Sequence, residues 1–190
     1  MNNKTKKMVG ISLFTAIVVV LQLVGGAIKV GGMFSISLVL LPIVVGAAVY
    51  GLGAGAWLGF AFGAAVLISG DAAAFLAIDV VGTVATVLFK GIACGVAAGS
   101  VYLLLARKNR TVAVMAAAIC CPVVNTGVFL LGCRLFFYDT IAQWGAGLGF
   151  ENTVAYMFLG LAGVNFLVEV VTNLLLAPVI TRLIRIGTKG

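Results

Sequence analysis

The stretch Gly51-Leu-Gly-Ala-Gly-Ala-Trp-Leu-Gly-Phe-Ala-Phe-Gly63 sets four glycines, Gly51, Gly55, Gly59 and Gly63, four residues apart in an unbroken apolar run. On a helix, residues i and i+4 stack on one face, so the four form a smooth groove. In water each would cost a helix about 0.5–1 kcal/mol relative to alanine. In a bilayer, small residues at this spacing let helix backbones approach closely. The stretch therefore predicts a packed bundle of membrane helices. Its groove is expected to lie outside any ligand pocket and to receive spans one and two, or the helices of another protein.

Composition around that stretch agrees. Of 190 residues, 63% are apolar and 9% charged, with a mean hydropathy of +1.27. So few charges cannot cover the surface of a soluble domain, whereas a polytopic membrane protein has no such need. The reading is an all-α integral membrane protein. It forms one domain, residues 1–190, with six transmembrane helices at about 9–28, 35–51, 53–69, 81–106, 111–135 and 155–183. The first block has a basic start but is longer than a usual signal-peptide core, and no A-x-A-like site follows it, so it is expected to be a retained span.

The net charge of +7 follows topology. Lys4, Lys6 and Lys7 precede the first block, Arg107, Lys108 and Arg110 separate the fourth from the fifth, and Arg182, Arg185 and Lys189 follow the last. Basic residues at alternate connections put both termini in the cytoplasm and give no reason to invoke nucleic acid. Asp71, Asp79, Asp139 and Glu151 occupy the intervening connections. The connection from Phe136 to Val154 is rich in aromatics and glycine; it reads either as an interfacial belt or as a lid over a ligand.

Histidine is absent, which removes the commonest general base, and no G-x-x-x-x-G-K-[ST] loop is present. Cys94, Cys120, Cys121 and Cys133 make no metal-ligand spacing and read as packing residues. No enzyme activity, metal or cofactor is expected in this chain.

Polar groups inside the spans are costly in hydrocarbon and invite an explanation. Lys90 lies roughly 14 Å into span four from its outer end at about 1.5 Å per residue. Asn125, in span five, and Asn165, in span six, come to similar depth. Asn165, Glu169 and Asn173 follow one another at i, i+4 and i+8, a polar stripe facing inward. Arg134 stands at the mouth of span five. Three readings stay open: a ligand pocket opening outward among spans four to six, interhelical glue with Lys90 paired to Glu169, and a proton-coupling carboxylate at Glu169. Two cations, Lys90 and Arg134, favour a carboxylate or phosphate on the ligand. Pro122 should bend span five and free a backbone carbonyl near the pocket, and Pro178 should kink the last span.

The segments Phe34-Ser-Ile-Ser-Leu-Val-Leu-Leu-Pro-Ile-Val-Val-Gly46, Tyr50-Gly-Leu-Gly-Ala-Gly-Ala-Trp-Leu-Gly59 and Pro122-Val-Val-Asn-Thr-Gly127 carry a resemblance. The chain resembles the substrate-specific S components of energy-coupling factor (ECF) vitamin transporters, in the group with riboflavin, folate and pantothenate members. The resemblance implies a multi-pass protein of a bacterial cell membrane that binds a micronutrient from outside. It also implies docking on a transmembrane coupling subunit and two ATPases, which use the ATP, followed by toppling to release the ligand. Such proteins dock through an Ala-x-x-x-Ala-like pattern on the first helix, matched here by Ser12-Leu-Phe-Thr-Ala16 with Ser in the first place. The cationic mouth and the Asn125-Thr126 pair on span five make a small anion such as pantothenate the expected ligand; riboflavin or folate would need stacking aromatics in the pocket, which only the outer connection offers. The alternative is a free-standing secondary transporter or channel with Glu169 as proton carrier.

Overall fold

The structure is a computed structural model of the chain and describes residues 3–27, 29–30, 34–35 and 38–187. Helix α1 (Asn3–Ala27) leads to a two-stranded antiparallel hairpin, β1 (Lys29–Val30) and β2 (Phe34–Ser35), pairing Lys29 with Ser35 and Val30 with Phe34. Then come α2 (Leu40–Tyr50), α3 (Leu52–Ser69), the short α4 (Ala73–Leu76), α5 (Val80–Ala106), α6 (Arg110–Phe136) and α7 (Tyr138–Gly147). The last rod joins α8 (Thr153–Ala155), a π-helical segment (Tyr156–Gly163) and α9 (Val164–Leu175), and α10 (Ala177–Gly187) follows.

Five stretches, Lys4–Gly25, Leu52–Ser69, Val80–Ala106, Arg110–Phe136 and Thr153–Leu175, are long and apolar enough to cross a membrane. The expected second span is different. Residues 36–37 lie outside the described residues, and α2 has 11 residues, roughly 16 Å against a hydrocarbon core of ~30 Å. Its surroundings explain its length. Leu40, Ile43 and Val44 are fully buried, so α2 is a core element clad by the other helices rather than by lipid. It reverses into α3 through Gly51 alone, at φ +91°, where a side chain would be strained.

Gly51 is thus a turn residue and not part of the groove. The other three glycines face α5, not span one or a partner as expected, while α2 of the expected second span reaches the groove at Gly55, where a Cβ would also sit 2.9 Å from Ala47 Cβ. A Cβ on Gly55 would sit 2.6 Å from the Gly95 carbonyl oxygen, and one on Gly63 would sit 2.8 Å from that of Val87. Between them Gly59 and Gly91 oppose each other: a Cβ on either would collide with the other's backbone carbonyl. Each step of four along α3 is a step of four back along α5, so the helices run antiparallel with backbone on backbone. Gly91 and Gly95 are the α5 glycines of this lock, and Gly99, one turn on, packs against Leu52 and Ala47.

Elsewhere side chains finish the helix ends. Asp79 Oδ1 accepts from Gly82 N at 3.1 Å to cap α5. Asn109 Oδ1 accepts from Thr111 N and Val112 N at 2.9 and 3.2 Å to cap α6. The last rod breaks at Leu176, two residues before Pro178, because proline cannot donate the N–H that would continue the ladder. Beyond the break, Ile180 and Ile184 are buried and Arg110 Nη2 donates to the Ile184 carbonyl at 3.0 Å. Lys4, Lys6 and Lys7 fall within α1, while Lys189 lies outside the described residues. All four cysteines are free thiols.

Candidate ligand-binding site

A cavity of about 750 Å³ opens at the end of the bundle where α3 ends, α5 begins and α7 lies. Lys90, Asn125, Asn165 and Glu169, expected from three separate spans, all line it. Glu169 is 2% exposed and accepts at Oε1 from Asn165 Nδ2 at 3.0 Å, a bond along the i, i+4 stripe. Lys90 brings its ammonium to the same lining. That ammonium also lies 5.6 Å from the Phe62 ring centre and 5.3 Å from that of Phe129, on the faces of both rings. The α3–α5 lock produces this arrangement, since Gly63 and Gly91, each adjacent in sequence to one partner, fix Phe62 beside Lys90.

Asn173, the third member of the stripe, is buried below the cavity and donates from Nδ2 to the Ala118 carbonyl at 3.1 Å. Ala118 is four residues before Pro122, whose missing N–H leaves that carbonyl without its helical donor. The side chain of one helix thus completes the backbone of another, so Asn173 works as structural support. Asn125 is 5% exposed, and its Oδ1 has no hydrogen-bond partner among the described residues.

The upper walls are aromatic. Phe75 on α4 makes edge-on contacts with Phe129, Phe137 and Trp144, at ring-centre distances of 5.7, 5.1 and 5.6 Å. The 136–154 connection folds over the cavity as α7, anchored by the buried Phe137 and Ile141, and contributes Gln143, Trp144, Gly147 and Leu148 to the lining. In the π-helical wall, Tyr156 is buried against Gly145 and Gly160, where a Cβ would meet its ring. A π-helical turn is wider than an α-turn and is frequent at functional sites. Arg134 is exposed and is not among the lining residues. Its guanidinium stacks 4.0 Å from the Tyr138 ring centre.

A family model described as "ECF transporter, substrate-specific component" matches residues 6–181. The chain belongs to the substrate-specific components of ECF transporters. No curated protein and no solved structure matches it. Membership makes it a multi-pass membrane protein and a substrate-binding subunit of an importer, working with a transmembrane and ATPase module.

This S component has lining residues that sequence reasoning passed over. Gln22, at the far end of α1, is buried and donates from Nε2 to Asp71 Oδ2 at 2.6 Å, and both face the cavity. Asp71 reads in the sequence only as a topology charge. Phe129 carries a readable signal, because it lies four residues after Asn125 and so shares its helix face. Ser12 and Ala16 are exposed on α1, among Met8, Leu13 and Val20. Of the five long helices, α1 is the least covered by the rest of the protein.

Proposed function

We propose that this S component captures a vitamin or related micronutrient from outside the cell in the cavity between α3, α5, α6, α7 and α9. It delivers the ligand through a coupling subunit driven by two ATPases. The observation that carries the reading is the convergence of Lys90, Asn125, Asn165 and Glu169, from three different helices, on one cavity roofed by α7. Such a cavity is within the roughly 300–1,000 Å³ of small-molecule sites, and its mix of apolar wall and a few polar groups suits ligand capture. Lys90, Asn125 and Glu169 read the polar end of the ligand, Asn165 orients Glu169, and the aromatic upper wall packs its apolar body.

Docking belongs to the bare face of α1 around Ser12 and Ala16, where small side chains leave room for a partner helix. The test is co-expression with the coupling subunit and both ATPases. All four chains should co-purify, and Ala16→Leu should abolish the assembly while ligand binding by the isolated chain is unchanged. Ligand uptake by the chain alone in proteoliposomes, driven by a proton gradient, would contradict the importer reading and favour a proton-coupled carrier.

A further inference from the structure

We infer that the ligand of this cavity is a nitrogen heterocycle that is neutral or positively charged, not a small anion; this rests on the reading that the cavity holds the transported ligand. The charge of the lining is the first argument. Among the described residues it contains two carboxylates, Asp71 and Glu169, and one ammonium, Lys90. When all three are ionised, the lining carries a surplus negative charge. An anion entering there would face both Glu169 and Asp71. The second cation that favoured an anion, Arg134, is stacked on Tyr138 outside the lining.

Aromatic geometry points the same way. Phe75, Phe129, Phe137 and Trp144 form one cluster of edge-on rings, so their faces and edges remain the surface offered to a flat guest. The wall already holds one cation on its ring faces, the Lys90 ammonium over Phe62 and Phe129. Ring faces are negative, so the faces left open to the cavity favour an electron-poor ring over a carboxylate. Asn125 on α6 and Gln143 on α7 bring amides that both donate and accept, matching the mixed edge of a heterocycle.

Isothermal titration calorimetry on the detergent-purified full chain tests this with three probes. Thiamine is a cationic heterocycle, riboflavin a neutral fused-ring heterocycle, and pantothenate an open-chain anion. At least one ring compound should bind roughly 100-fold more tightly than pantothenate, and Phe75→Ala should weaken it by about tenfold. Pantothenate binding as tightly as either ring compound would overturn the inference, as would failure of both ring compounds to bind at about 1 mM. Co-purification with the coupling module does not depend on which ligand is bound. If that assembly forms while pantothenate is preferred, the ligand class alone is wrong.

Discussion

Where α3 meets α5, the contact is backbone on backbone: Gly55, Gly59 and Gly63 lie against Gly95, Gly91 and Val87 with no room for a methyl group. Where α6 meets α9, the contact is a polar side chain reaching across, Asn173 onto the carbonyl that Pro122 leaves unsatisfied. The first interface tolerates no adjustment, because its contacting atoms belong to two helix ladders. The second passes through a rotatable side chain, directly below a π-helical segment. One wall of the cavity therefore fixes register, and the other brings Asn125, Asn165 and Glu169 to it in a less uniform backbone. The rigid side holds Lys90 against Phe62.

The hardest challenge to this contrast is Gly59→Leu. The side chain would enter the Gly91 backbone, which cannot rotate away, and we expect a loss of about 3 kcal/mol or more. The expected outcome is little monodisperse protein in size-exclusion chromatography, with binding and assembly lost together. Survival with normal thermal stability would show that α3 and α5 can separate.

Glu169→Ala probes the polar wall. It removes the carboxylate that accepts from Asn165, and should lower ligand affinity by about 100-fold, or about 3 kcal/mol. Elution behaviour should stay close to that of the parent. A smaller effect follows for Asn173→Ala, which strips the Ala118 carbonyl of its donor and should cost about 1–2 kcal/mol of stability. In a Pro122→Ala background, the substituted residue restores a backbone N–H four positions after Ala118, so the same truncation should cost less than half as much. Equal costs in both backgrounds would break the link between Pro122 and Asn173. The smallest effect is expected at Trp57→Phe, which removes the exposed bond from Trp57 Nε1 to Thr15 Oγ1 between α3 and α1. Its loss should lower stability by no more than about 1 kcal/mol in a thermal scan.

The sequence makes the bundle and the floor of the cavity legible, for the same reason in each case. A glycine every four residues and a polar stripe every four residues both report a helix face, and a face is what a single helix can announce by itself. What a face packs against is a property of two segments, and there reading one segment at a time fails. The groove of Gly55, Gly59 and Gly63 pairs with Gly95, Gly91 and Val87, whose two glycines are plain in the chain yet carry no mark that they are the complement. Likewise Pro122 announces a freed carbonyl, whereas its partner lies 55 positions away from Ala118, at Asn173. Phe75, in a short helix after α3, joins the site through three rings that are distant in sequence, so no local pattern marks it. The brevity of α2 is hidden too, because an apolar run looks alike whether lipid or protein surrounds it.

The central claim is that the floor around Glu169 holds the cargo of this S component. Native mass spectrometry of the purified chain, compared with Glu169→Ala prepared identically, tests it most directly. The account predicts one small molecule per chain in the parent and its loss from the variant, with the variant still folded. An equal load in both proteins would contradict it.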